Sequence, residues 1–187
     1  MITLRCSAQL LRRLGDVRGA EVPASGKLGD WYARIVATRP RHLVLCTNER
    51  SLLCVVIPLA PQHQLLDRFV EAARHRINQI PAPAEARMKE RPALADVQLG
   101  RATNRSVIGS MNEFTYAIDA WFAHRSGDDL EALGLWLCDT PCFPLRTTWP
   151  WREAELLLTG RGWDDPSATT RVLPHPPDPI PRDDHGH

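Results

Sequence analysis

Apolar and polar positions along residues 28–60 follow the pattern of three consecutive β-strands joined by short turns. The first strand is predicted over 30–38, which is rich in aromatic and β-branched residues. The second and third are predicted over 42–48 and 51–58. Both contain unbroken apolar runs, which indicates that both faces of these strands are covered. We therefore expect this meander to lie at the centre of a sheet.

The turn at residues 48–50 joins the second and third strands, and its length decides where two cysteines point. Asparagine tolerates left-handed backbone and bonds its own main chain, so Asn48 favours a tight hairpin. A two-residue loop pairs Cys46 with Leu53 and places Cys46 and Cys54 on opposite faces. A three-residue loop pairs Cys46 directly with Cys54. The general preference for two-residue hairpins favours the first alternative.

The other elements are distributed on both sides of the meander. They are a short edge strand over 2–6, a helix over 8–14 capped by Ser7 and ended by Gly15, an amphipathic helix over 62–80, a short polar helix over 85–91, a fifth strand over 96–102, and helices over 104–124, 128–138 and 152–159. This order predicts an α+β fold, with a largely antiparallel sheet of about five strands and helices packed on one side. Residues 1–163 are expected to form a single domain.

Composition narrows the class of protein. The chain has 187 residues, of which 43% are hydrophobic, enough for one domain with a sizeable core. Residues 164–187 contain six prolines and several aspartates, so a disordered tail is predicted there. The net charge of +1 gives no indication of nucleic-acid or anionic-membrane binding. The chain has no apolar run of about 20 residues and no signal-peptide pattern, which favours a cytoplasmic protein.

The cysteines and the motif search point away from a metal centre. The five cysteines are scattered, and free buried thiols in a reducing compartment explain them best. The spacing of Cys138 and Cys142 is neither a redox pair nor half of a zinc site. No phosphate loop, dinucleotide fingerprint or nucleophile motif is present. We therefore expect neither a metal nor a cofactor.

The segment at residues 104–113 is the strongest candidate for a functional site. Gly109 is predicted to lie inside a helix, where a glycine costs about 1 kcal/mol of stability relative to alanine. Close approach of a backbone or a ligand commonly offsets that cost. The exposed amides of the helix start, beside Arg105, suit an anion. The predicted surface, which would bind a small anion or a protein partner, consists of Asp30, Trp31, Asn104, Arg105, Ser106, Asn112 and Tyr116.

A structural explanation of the same residues is simpler. Asn104 and Ser106 would cap the helix, and Arg105 would pair with a carboxylate such as Asp30. Gly109 would let the helix lie close against the sheet. Asp30 and Trp31 would then be a capped strand start and a core tryptophan.

Several motifs resemble a family of small bacterial proteins known only as a domain of unknown function. They are Leu4-Arg5-Cys6 with Leu10-Leu11, the stretch 28–33 (LGDWYA), Asn48-Glu49 before Leu52-Leu53, the stretch 104–112 (NRSVIGSMN), and Pro141-Cys142 with Pro144-Leu145. The resemblance covers roughly residues 1–160. It implies a single bacterial domain and brings no activity, cofactor or catalytic residues.

The leading hypothesis is a cytosolic binding or regulatory module, because polar residues cluster at element ends without a nucleophile–base pair. One alternative is a hydrolase or nuclease acting on a phosphate substrate, with Asp30 or Glu113 as acid–base and Arg105 stabilising charge. Another is a protein–protein interaction module that uses the Trp149-Pro150-Trp151 segment. The first two hypotheses require the start of the 104–124 helix to meet the Asp30 end of the sheet.

Overall fold

The computed structural model describes residues 1–15, 23–38, 41–124 and 129–162. Within these residues five strands form one sheet, and six α-helices pack on it. The strands are β1 Ile2–Cys6, β2 Trp31–Val36, β3 Leu43–Asn48, β4 Cys54–Pro58 and β5 Val97–Arg101. The helices are α1 Ala8–Leu14, α2 Leu65–Gln79, α3 Ala84–Met88, α4 Arg105–His124, α5 Leu130–Cys138 and α6 Pro150–Thr159. The predicted α+β class is confirmed, and the predicted tail over 164–187 lies outside the described residues.

The sheet has the strand order β4-β3-β2-β1-β5. The antiparallel meander of β2, β3 and β4 is as predicted. β1 is parallel to both of its neighbours, β2 and β5, so the sheet is mixed rather than largely antiparallel. The prediction of β1 as an edge strand was wrong. The chain passes from β1 through the helix α1 to β2, and a helical crossover of this kind makes neighbouring strands parallel. With β5 paired on its other side, β1 lies inside the sheet.

Helices cover both faces of the sheet, which corrects the prediction of helices on one side. On one face Trp31 of β2 packs edge-on against Phe69 of α2, with ring centroids 5.6 Å apart. Arg34 is three residues further along β2, so its side chain points to the opposite face. There its guanidinium donates a hydrogen bond to Asn112 of α4. The two sides of β2 are therefore covered by different helices.

The connection between β3 and β4 is longer than either predicted hairpin. Thr47 pairs with Cys54, and Cys46 pairs with Val55. Both predicted pairings of Cys46 are therefore wrong. Because paired residues share a face and successive residues alternate, Cys46 and Cys54 do lie on opposite faces.

A fully buried asparagine explains the longer turn. The Oδ1 atom of Asn48 accepts hydrogen bonds from the amides of Arg50 and Ser51, at 3.2 and 3.0 Å. Its Nδ2 atom donates to the carbonyls of Leu28 and Asp30, at 3.0 and 3.3 Å. The Asn48 side chain thus holds both the turn and the residues that precede β2. An asparagine at the solvent-exposed tip of a two-residue hairpin could not make both sets of contacts.

The core lies on both faces of the sheet. Its largest fully buried side chains are Trp31, Tyr32, Phe69, Phe114, Leu4, Leu10, Leu28, Leu43, Leu45, Leu53, Leu65 and Ile80. In the part of the chain that the structure describes, no helix has the length and apolar character needed to cross a membrane.

Candidate functional site

The start of α4 is closed by an asparagine cap. Asn104 Oδ1 accepts hydrogen bonds from the amides of Ser106 and Val107, at 3.0 and 3.4 Å. The Asn104 amide itself donates to the Tyr32 hydroxyl at 3.3 Å. Burial raises the pKa of Tyr32, and the bond from Asn104 opposes that shift. Asn104 is therefore the N-cap, and its side chain is engaged with the helix.

The predicted polar face of α4 is open to solvent. Arg105, Gly109 and Asn112 are exposed, and Tyr116 has 69% of its surface accessible. A Cβ atom added at Gly109 would meet no atom within 4 Å. The glycine is therefore not required for close packing of α4 against the sheet, and that part of the structural explanation was wrong.

Asp30 is held by β1 rather than by α4. Its Oδ1 accepts a hydrogen bond from the Thr3 amide at 2.9 Å, and its Oδ2 accepts one from Arg5 Nε at 3.0 Å. Only 5% of Asp30 is accessible. The expected partner Arg105 was wrong, because Arg5 occupies that position. Asp30 thus acts as a structural acceptor that joins β1 to the start of β2.

The seven predicted site residues do not form one continuous surface. Trp31 is buried on the face covered by α2, and the sheet separates it from α4. Asp30 is enclosed beside Arg5. The other five residues, Asn104, Arg105, Ser106, Asn112 and Tyr116, lie along the first three turns of α4 and its cap.

A crevice opens where β2 extends beyond β1. β1 pairs only as far as Cys6 with Ala33, and the Ser7 amide then donates to the Ala33 carbonyl at 2.8 Å. Among the described residues, no strand lies beside residues 34–36 of β2 on that edge. α1 begins at this point, and α4 packs on the face of β2 that carries Arg34.

We call this site the α1–α4 crevice. Its volume is about 360 Å³. The residues that line it are Ser7, Ala8, Gln9, Ala33, Arg34, Ile35, Ala102, Ile108, Met111 and Asn112. Most of these side chains are apolar, and a small number of polar groups converge on an apolar pocket in typical small-molecule sites.

Arg34 and Asn112 supply the main polar groups of the crevice. The half-buried Arg34 guanidinium donates to Asn112 Oδ1, which orients both side chains. Within the described residues Arg34 has no carboxylate partner. Asn112 is the one predicted site residue that lines the crevice, whereas Arg34 and Ser7 were missed. Arg34 is the only charged residue of β2, and a charge inside an otherwise apolar strand is a signal that could have identified it.

The cysteines are not activated nucleophiles. All five are free and buried. Burial raises the pKa of Cys6 and Cys142 to about 12 and also raises the pKa of the other three, so the reactive thiolate is disfavoured. Among the described residues no group of three or more histidines, cysteines or acids is arranged to hold a metal ion.

A family of proteins matches most of the chain. Residues 3–153 match the model of a protein family described as a domain of unknown function, DUF6933. The predicted resemblance to such a domain is therefore confirmed. No curated protein and no solved structure matches the chain.

Proposed function

The chain belongs to the DUF6933 family, and we propose that it is a binding protein for a small molecule with an apolar body and an anionic group. The ligand would occupy the α1–α4 crevice. The observation that carries this proposal is the pairing of Arg34 with Asn112 in an otherwise apolar crevice at the uncovered edge of β2.

The chemistry of the two polar side chains suggests the ligand class. A guanidinium presents several donors in a plane and binds carboxylate or phosphate oxygens through two parallel hydrogen bonds. Asn112 Oδ1 accepts from Arg34, which leaves Asn112 Nδ2 to donate to the same ligand. The apolar side chains of Ile35, Ile108 and Met111 would then contact the remainder of the molecule.

The alternatives have less support. A hydrolase or nuclease needs an available carboxylate beside a cation, whereas Asp30 is engaged by Thr3 and Arg5. Glu113, the other proposed acid–base residue, is exposed and does not line the α1–α4 crevice. An interaction surface at residues 149–151 needs exposed tryptophans, whereas Trp151 is buried and Trp149 packs partly against the core.

Calorimetric titration and thermal shift against small carboxylates, phosphates and nucleoside phosphates test the proposal. Losing a charge-assisted hydrogen bond should weaken binding of any identified ligand about tenfold or more in Arg34→Met and in Asn112→Ala. Arg91→Met is the matched control, since Arg91 is exposed and lines none of the cavities described. If ligand affinity is unchanged in both crevice variants while their stability falls, the two residues have only a structural role.

A further inference from the structure

Arginine side chains and one histidine surround the short helix α1. We call this set the α1 rim, and it consists of Arg12, Arg13, Arg41, His42 and Arg101. All five residues are exposed. They line two cavities that flank α1, neither of which is the α1–α4 crevice.

The two cavities lie on different sides of α1. Arg12 and Arg101 line a cavity of about 620 Å³ beside the end of β5. Arg13, Arg41 and His42 line a cavity of about 470 Å³ beside the end of β4. α1 itself contributes residues to both, so the rim forms one basic region divided by the helix.

None of the described residues that line either cavity is an aspartate or a glutamate. Arg12, Arg13 and Arg101 form no ion pair in the described part of the chain. Arg68 adds a further guanidinium next to the second cavity, where it donates to the carbonyls of Leu59 and Pro61 at 3.3 and 2.6 Å. These acceptors carry no net charge, so its positive charge persists there.

A third cavity, between α3 and α6, differs from the two rim cavities in its charge. Its charged lining residues have both signs: Lys27, Glu85, Lys89 and Arg161. Lys89 there pairs with Glu85 at 2.8 Å. The chain contains 23 lysines and arginines and 22 acidic residues, so the concentration of one sign among the described residues around α1 does not appear in the net charge.

We propose that the α1 rim binds the phosphodiester backbone of a nucleic acid. Arginine matches phosphate geometry, and contacts to phosphates give affinity without reading the sequence. A membrane surface fits less well, because the large hydrophobic residues exposed in the described regions, Met88, Tyr116 and Phe143, are not rim residues. The rim contains no tryptophan, tyrosine or phenylalanine for stacking, which favours contacts to phosphates over contacts to bases.

Fluorescence anisotropy with labelled duplex DNA, single-stranded DNA and RNA of about 20 nucleotides, over a salt series, tests the proposal. The variants are Arg12→Gln/Arg101→Gln on one side of α1 and Arg13→Gln/Arg41→Gln on the other. The control Arg91→Gln/Arg146→Gln changes the net charge equally, at exposed arginines outside the rim. Far-ultraviolet circular dichroism and thermal melting of every variant separate loss of binding from loss of folding.

We expect at least one nucleic acid to bind, with an affinity that falls steeply as salt rises. Each rim pair should weaken binding about tenfold at low salt and lower the salt slope by roughly 1 to 2, whereas the control should change affinity less than about twofold. Equal losses in rim and control variants, or no binding of any nucleic acid at low salt, would overturn the proposal. So would binding of phosphatidylserine vesicles with no binding of nucleic acid. Small-ligand binding in the α1–α4 crevice should persist in both rim variants, so the two proposals fail independently.

Discussion

Arg5 of β1 and Asp30, the residue before β2, form a largely buried ion pair that joins these two parallel strands. Arg5 Nε and a terminal guanidinium nitrogen lie 3.0 and 2.9 Å from Asp30 Oδ2. The exposed fractions of the two side chains are 15% and 6%. Because Asp30 also accepts the Thr3 amide, it fixes the position of β1 against the residue that precedes β2.

Asp30→Ala should lower the free energy of unfolding by about 3 kcal/mol. The substitution removes the carboxylate that the largely buried Arg5 side chain and the buried Thr3 amide share, and removing one partner of a buried ion pair is strongly destabilising. Urea denaturation measures the loss. Glu113→Ala, at an exposed position on α4, should change stability by less than about 0.5 kcal/mol. Similar losses in the two variants would contradict a structural role for Asp30.

Gly109→Ala should increase the free energy of unfolding by about 1 kcal/mol. The residue is exposed in the interior of α4, and the added Cβ meets nothing within 4 Å, so only the gain in helix propensity remains. Binding in the α1–α4 crevice should be unchanged, since Gly109 does not line it. Urea denaturation measures the change, and a decrease in the free energy of unfolding would contradict this prediction.

Gly134→Ala should have the opposite effect and cost about 1 kcal/mol or more. A Cβ at this position in α5 would lie 2.7 Å from a terminal nitrogen of Arg76. Arg76 is buried, with 2% of its surface accessible. Its guanidinium donates hydrogen bonds to Glu131 and Gln79, at 3.1 and 2.9 Å, so it cannot move away without losing those bonds. The same denaturation assay compares the two glycines, and a stabilised Gly134→Ala would contradict this account.

Glu155→Gln should stabilise the protein at neutral pH. Burial raises the pKa of the Glu155 carboxyl above its ordinary value of 4.5, and the charges of Arg152 and Arg161 oppose this shift only in part. Its Oε2 is buried without a hydrogen-bond partner. With the folded pKa above the unfolded value, wild-type stability falls as the pH rises from 4.5 through the folded pKa, and glutamine removes that loss. Urea denaturation should show an advantage at about pH 7 that disappears near pH 4, and a constant difference across this range would refute the prediction.

Alkaline solution should destabilise the fold partly through Cys6. Burial raises the pKa of this thiol from 9.0 to about 12. The unfolded chain therefore releases a proton that the folded chain retains, and the stability present below pH 9 is lost as the pH rises toward 12. One such group contributes about 1.4 kcal/mol per pH unit in this window. Cys6→Ala should show a shallower loss between about pH 9 and pH 10.5 in urea denaturation, and equal slopes would rule out this contribution.

The local elements were largely predictable from short-range signals. The Ser7 side chain accepts the Leu10 amide, as an N-cap preceding an apolar pattern predicts. Asn104 caps α4, and the helix extends to His124 as the apolar stripe indicates. The meander strands form at the predicted positions because unbroken apolar runs are buried on both faces.

The candidate site was predictable only in part. Asn112 was identified from its position on the α4 helix and does line the α1–α4 crevice. Arg34 was missed, although it is the charged residue of β2 and the partner of Asn112. The crevice depends on β1 ending beside Ala33, and no local pattern in either segment specifies where two distant strands stop pairing.

The sequence by itself determined which apolar segments are buried and where most helices and strands begin and end, because hydrophobic periodicity and capping act over a few residues. Tertiary structure alone decided that Arg5, rather than Arg105, pairs with Asp30, and that β1 lies between β2 and β5. It also decided that Arg12, Arg13, Arg41 and Arg101, which lie in three separate segments of a nearly neutral chain, line the cavities around α1. Such choices are made among partners with similar local preferences, so they depend on the sum of contacts between distant segments rather than on any one stretch of sequence.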